Sequence, residues 1–308
     1  MVMSTKSPLV LFLHGTNFCK QVWKPIENQL KKSPLLQHVE FASVELPFHG
    51  AKRDNSVRAL VDEASVTVDH PAGNWVVRNT AEIHREILQS RQQEVDSGFE
   101  RRPLIGVGHS VGAATLWNVE AQHPGTFDGL VLFEPIVENP GTRDPKAQQF
   151  MFNTTLNREY RWPNYDAAVH FCENFKGFAS WDRESLKRWI EGAIVPVQDG
   201  SEAVALACHP TIEASIYCNE WLWLSNQELG AISCPVFFHG GGRSKLFAHE
   251  YFAKLEQRWP NIYTSHSPLE NLSHNLVMEN PKVCANVIID DLNTLDSYNS
   301  PDELEFVG

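Results

Sequence analysis

The chain has 308 residues, of which 42% are hydrophobic and 21% charged, and a formal net charge of −12. These values fit one globular domain with a sizeable core, or one such domain carrying an insertion. The acidic balance excludes a role that rests on gripping nucleic-acid phosphates, and no apolar run approaches the ~18 residues of a membrane-spanning helix.

Residues 8–13 form a compact apolar run that closes at His14-Gly15, the pattern of a buried strand. A helical stretch is predicted over 22–32 and a second strand over 39–46, closing at Pro47-Phe48-His49-Gly50. Residues 74–93 are long and periodic, hence helical. A short buried strand follows at 103–108, a helix at 111–123, and a strand at 127–133 that ends at Glu134-Pro135. Strands alternating with helices, with few hairpin signals, predict a mostly parallel, doubly wound α/β sheet.

The rhythm breaks from 136 to 227, where no convincing strand stands out. Trp162, Trp181, Trp189, Trp221 and Trp223 punctuate a helical periodicity there, so a helical insertion is predicted. Alternation resumes with a strand at 232–239 ending in Gly240-Gly241-Gly242, a helix at 247–258, a short strand at 262–266 and an amphipathic helix at 281–295. The last dozen residues read as a polar tail. The expected organisation is a core of residues 1–135 and 229–308, with a helical cap, 136–228, inserted after the strand that bears Glu134.

Gly108-His109-Ser110-Val111-Gly112 carries the chemistry. This G-x-S-x-G run follows a predicted strand and opens a predicted helix, the setting that a nucleophile elbow requires. Serine at such a turn is strained and needs small neighbours. The helix N-terminus adds partial positive charge where an oxyanion would form. With such an elbow, one oxyanion donor comes from the loop after the first strand and one from the residue after the nucleophile. Here those are the backbone N–H groups of Thr16, in His14-Gly15-Thr16-Asn17, and of Val111.

His274, in Asn271-Leu272-Ser273-His274-Asn275, follows the last strand and is the expected general base. His266 competes with it but falls within or beside that strand. An acid is often found a few residues past the glycine that ends the penultimate strand. Here that stretch reads His239-Gly240-Gly241-Gly242-Arg243-Ser244, with no carboxylate. Glu134 stands one strand earlier, at a strand C-terminus, where open α/β sheets gather their sites. It is the expected partner of His274, fixing the tautomer and stabilising the imidazolium.

The six cysteines, Cys19, Cys172, Cys208, Cys218, Cys234 and Cys284, are scattered without a CxxC pair, so free thiols are expected. Cys208-His209 lacks a second ligand pair at zinc spacing, and neither metal nor cofactor is expected. The N-terminal apolar run is too short for a signal peptide, and Glu-Phe-Val-Gly is no peroxisomal address. A cytoplasmic chain is the expectation, with the peroxisome as alternative.

Leu11-Phe12-Leu13-His14-Gly15, the Gly108–Gly112 run, Phe133-Glu134-Pro135 and Ser273-His274-Asn275 resemble the landmarks of the α/β-hydrolase superfamily. Glu-Pro after the strand, and Gly-x-Arg-Ser at 241–244, resemble more narrowly a fungal group. That group holds peroxisomal lipase-like hydrolases and hydrolases of host-selective toxin biosynthesis. The resemblance implies the α/β-hydrolase fold, a triad of Ser110, Glu134 and His274, and a role in lipid or secondary metabolism. It also implies a β-hairpin ahead of the first strand. The residues before position 9 are too few for one, so a shortened sheet or a truncated chain is expected.

The expected activity is hydrolysis of an ester, thioester or lactone of an apolar, lipid- or polyketide-like molecule through an acyl-enzyme on Ser110. Ser rather than Asp at the elbow argues against dehalogenase or epoxide-hydrolase chemistry. Insertion aromatics such as Trp181 and Trp221 would roof the pocket and touch the small-molecule substrate. Two other classes stay open: a non-hydrolytic cyclase, lyase or C–C hydrolase on the same fold, and a catalytically inactive binding module. Whether the chain works as a homodimer is left open.

Overall fold

The structure, a computed structural model, describes residues 7–138 and 145–295. The polar tail expected at the C-terminus lies outside the described residues. In chain order the strands are β1 (Leu9–Leu13), β2 (Glu40–Val44), β3 (Leu60–Asp62), β4 (Thr67–Asp69), β5 (Leu104–His109), β6 (Gly129–Phe133), β7 (Arg161–Trp162), β8 (Ile194–Pro196), β9 (Val204–Leu206), β10 (Val236–His239) and β11 (Tyr263–Ser265).

Six strands make one sheet in the order β11-β10-β6-β5-β1-β2, and every pairing in it is parallel. The expected doubly wound parallel sheet is therefore observed. Its central strands β5, β6 and β10 are buried at every residue, as strands covered on both faces must be. Alternation of side chains sorts them into two cores. Val10, Phe12, Ile105, Val107, Val131 and Phe133 face a cluster shared with the helices Lys24–Leu30 and Pro281–Leu292. Leu11, Leu13, Leu104, Leu130, Leu132 and Phe238 face the other, with the helices Trp75–Asp96, Val111–Gln122 and His249–Arg258. Among the described residues no helix is long and apolar enough to cross a membrane.

The stretch between β6 and β10 corrects one expectation. It is mostly helical, but β7, β9 and β8 form a small antiparallel sheet where no strand is predicted. These strands have two or three residues, too few for an alternation to register. Ile194–Pro196 also follows the helix Arg183–Ala193 without a break, so its β-branched run merges with the helical pattern. A second short hairpin, β3–β4, is likewise absent from the sequence reading. Trp162, Trp181 and Trp189 of this stretch are buried in the same cluster as Val10 and Phe12.

On the other face, Trp117 is fully buried, with ring centroids 5.0 Å from Phe238, 6.2 Å from Phe252 and 5.9 Å from Tyr263. It joins the elbow helix to β10 and β11, so its loss leaves a cavity between layers. Trp117→Ala is expected to destabilise the fold by about 3–5 kcal/mol, read as a lower urea midpoint in equilibrium unfolding. A shift below about 1 kcal/mol would mean that the layers collapse around the gap.

Candidate active site

Ser110 occupies the turn from β5 into the helix Val111–Gln122, with φ 55° and ψ −121°. A non-glycine residue pays roughly 1–3 kcal/mol to sit in this region, so neighbours must impose it. The Ser110 N–H donates to the Phe133 carbonyl at 2.9 Å. Behind the turn, a Cβ on Gly112 would lie 2.3 Å from the carbonyl oxygens of both Leu13 and His14. Only glycine lets the elbow touch the loop after β1.

Glu134 follows β6 and is also left-handed, with φ 53°. Its N–H donates to the His239 carbonyl at 2.9 Å. The carboxylate is 1% exposed, a costly burial unless its oxygens are satisfied. Oε1 accepts the Gly241 N–H at 2.6 Å, and Oε2 accepts the Ser244 hydroxyl at 2.6 Å. A Cβ on Gly241 would meet the carbonyl oxygens of Leu272 and Ser273 at 2.4 and 2.6 Å, so the N–H reaches Glu134 only because that residue has no side chain.

His274 lies 2.9 Å from Glu134 Oε2 through Nδ1 and 3.0 Å from Ser110 Oγ through Nε2. With Nδ1–H donating to the carboxylate, Nε2 is left as acceptor for the serine hydroxyl. Its loop is tied down on both sides. Glu279 accepts the Ser273 N–H at 2.7 Å and the Ser273 hydroxyl at 2.8 Å, and the Arg243 N–H donates to the Leu272 carbonyl at 2.9 Å.

The structure thus brings Ser110, Glu134 and His274 into hydrogen-bonding distance of one another in series. Thr16 and Val111 line the same pocket of about 200 Å³, and among the described residues neither backbone N–H has an acceptor. Trp221 also lines this pocket, together with Phe150 and Ile216. Trp181 does not; it is buried beside a neighbouring cavity.

Four residues of the site escape sequence reasoning: His109, Gly241, Ser244 and Glu279. His109 is fully buried, stacks on Phe18 with ring centroids 5.5 Å apart, and lies 2.8 Å from the His274 carbonyl through Nε2. Burial, reinforced by the nearby His274, pushes its pKa down to about 3. It therefore stays neutral beside the His274 imidazole. The motif position x before the serine marks where it is, but nothing local says that it is buried.

His266, the competitor for the base, does not line the pocket of Ser110 and contacts Asp291 instead. Its Nε2 and that of His239 lie 2.8 and 2.6 Å from the two carboxylate oxygens of Asp291. Among the described residues these three form the one group that could hold a metal ion. The contacts already present account for it as a cluster joined through the Asp291 carboxylate. Burial would raise the Asp291 pKa, yet the bonds from His239 and His266 hold it below the usual range, while Asp291 raises that of His266.

Comparison with known proteins agrees with this architecture. The model of the alpha/beta hydrolase family matches residues 10–287. The chain is similar to the abhydrolase domain-containing protein AKT2 of Alternaria alternata, 22% identical over 221 residues, which cover 62% of this chain and 83% of that one. It is also similar to the type I acyl-CoA thioesterase mpaH of Penicillium roqueforti, 38% identical over 93 residues. That match takes in 28% of this chain and only 20% of the thioesterase. Among solved structures, the peroxisomal hydrolase Lpx1 of Saccharomyces cerevisiae superposes with a TM-score of 0.72 at 16% identity, over 97% of this chain and 79% of that one. A thioesterase domain from a curacin biosynthetic pathway superposes with a TM-score of 0.62 at 18% identity, over 93% and 92%.

The buried histidines set an acid limit. Burial also pushes the His49 pKa down to about 3. Below the ordinary histidine value of 6.5, the unfolded chain takes up protons at His49 and His109 that the native state refuses until about pH 3. Stability is thus unaffected by these groups above 6.5 and falls as pH drops through that window. The melting temperature is expected to decline from about pH 6.5 downward, with a shallower decline in His109→Gln. An identical slope in wild type and variant would remove His109 from the account.

Proposed function

The chain belongs to the alpha/beta hydrolase family, and from that premise we propose that it is a serine hydrolase of an ester, thioester or lactone. The observation that carries this reading is the line of hydrogen bonds from Glu134 Oε2 through both nitrogens of His274 to Ser110 Oγ. Ser110 attacks the substrate carbonyl while His274 Nε2 takes the hydroxyl proton. Glu134 keeps the proton on Nδ1 and stabilises the imidazolium that forms. The N–H groups of Thr16 and Val111 receive the oxyanion, aided by the positive end of the helix Val111–Gln122. His274 then returns its proton to the leaving oxygen or sulfur, and water releases the acyl group by the reverse sequence.

The pocket supports an apolar substrate, since Trp75, Ile136, Phe150, Ile216 and Trp221 line it around the polar trio. Similarity to acyl-CoA and biosynthetic thioesterases favours an activated acyl compound. We assign residues 136–228 as a cap over the site, with residues 1–135 and 229–308 as the core. In support, the cap residues Phe150, Met151, Thr154 and Tyr217 line the pocket. Trp189 Nε1 donates to the Asn17 carbonyl at 2.9 Å, and the Asp182 N–H donates to the Met278 carbonyl at 2.9 Å. The cap is braced on the oxyanion loop and on the segment after His274.

A fluorophosphonate probe is expected to label Ser110, and p-nitrophenyl esters should give a burst that Ser110→Ala abolishes. Mass spectrometry that finds the adduct on another residue would overturn the assignment. Glu134→Gln should lower kcat by roughly 10²–10⁴-fold while the protein stays folded. Near-normal turnover in that variant would mean that the acid lies elsewhere.

A further inference from the structure

The reaction pocket, at about 200 Å³, is smaller than the ~300–1,000 Å³ typical of sites that enclose a whole ligand. A second cavity of about 570 Å³ adjoins it. The two share Thr16, Phe18, Thr154, Tyr217 and Asn275, so they meet beside the oxyanion loop and the base. The larger one is where the bulk of a substrate held at Ser110 has room to extend.

Its lining is divided chemically. One part is an unbroken run of ring contacts, Phe171 to Phe175 to Phe178 to Trp181 to Trp189, with centroids 4.4–5.8 Å apart. Such a surface favours a flat partner, which can stack or meet the rings edge-on. The other part holds a charge pair. Arg158 Nη2 donates to Glu213 Oε1 at 2.7 Å, and the Tyr217 hydroxyl donates to the same oxygen at 2.8 Å. Among the described residues, Nη1 and Nε of Arg158 have no partner, although the guanidinium is a five-donor fork.

The sign of the pair decides what those donors accept. Arg158 and Glu213 together are neutral, and Glu213 is 2% exposed. The Glu213 carboxylate already fills this spot with two donors on Oε1, so a second anion brought to Arg158 would lie beside it and be repelled. An uncharged carbonyl, hydroxyl or ether oxygen takes the free donors without that penalty. Resting on the hydrolase reading above, we propose that the acyl group is aromatic and carries an uncharged oxygen on its ring, with the ring in the aromatic chamber and the oxygen on Arg158.

The test reads binding without chemistry. ω-Aryl methyl ketones of graded chain length, with phenyl, 4-methoxyphenyl or 4-carboxyphenyl ends, are titrated against the full chain by quenching of tryptophan fluorescence. The methoxyphenyl ketone is expected to bind at least about fivefold tighter than the phenyl ketone at the best length, a difference of about 1 kcal/mol. The carboxyphenyl ketone should bind more weakly than either. Arg158→Met combined with Glu213→Gln removes both charges, leaving no unpaired ion in the interior. It should reduce the methoxy preference to less than about twofold. Arg158→Lys, which keeps the charge but not the fork, should lose it as well.

Equal binding of the phenyl and methoxyphenyl ketones would overturn the proposal, as would tighter binding of the carboxylate or a preference that survives both variants. Fluorophosphonate labelling of Ser110 is scored separately. Its failure would sink the hydrolase reading while the ketone series still reports on the chamber.

Discussion

An imidazole that relays a proton must have both nitrogens engaged at once, one held and one free to accept. In the proposed hydrolase that demand falls on His274, with Glu134 at 2.9 Å on one side and Ser110 at 3.0 Å on the other. The three residues come from loops separated by up to 164 positions. Errors of an ångström in such an arrangement cost orders of magnitude in rate. Much of the surrounding structure is explicable as the means of keeping three loop ends still. Backbone hydrogen bonds continue past the strand ends, from Ser110 to Phe133, Glu134 to His239, Leu269 to Gly240 and Arg243 to Leu272, each at 2.8–2.9 Å. All three loops hold a left-handed, non-glycine residue, Ser110, Glu134 or Asn271, and this stitching is what keeps that strain from relaxing.

Support extends into the helix Pro281–Leu292. Asp291 anchors the His239 ring, which stacks on Phe133 with centroids 5.2 Å apart, directly before Glu134. Glu279 performs a similar service for the loop of His274 and also accepts the Ser180 hydroxyl at 2.8 Å from the intervening segment. Each of these carboxylates is buried, and each has its oxygens filled by donors. That is the condition under which a buried charge rigidifies a structure instead of weakening it.

The parts readable in the sequence are those whose signal is local. Gly108 to Gly112 announces a turn between a strand and a helix because the steric demand falls on adjacent residues. Glu134 is readable by elimination, as the carboxylate at a strand end beside a stretch, 239–244, that has none. Ser244 and Gly241 are not readable as its partners, since they lie 110 and 107 positions away and the contact depends on the register of β6 with β10. The small sheet of β7, β9 and β8 is hidden for the opposite reason: its strands are too short to hold a period. The burial of His109 follows from packing against Phe18 and His274, which no pattern around position 109 records.

The place of the proposed acid, directly after β6, has a historical side. Position 241, in the loop after β10, is closed to it. Any side chain at 241 collides with the carbonyls of Leu272 and Ser273, and the N–H there is committed to Glu134. At 243 an arginine reaches toward Glu279, 3.5 Å away. An intermediate carrying both acids would press two anions on one imidazole. In the proposed hydrolase the arrangement works as a ratchet: the aromatic residues of the 136–228 stretch can change and admit other acyl groups, while the carboxylate at 134 is held in place by Gly241, Ser244 and His274.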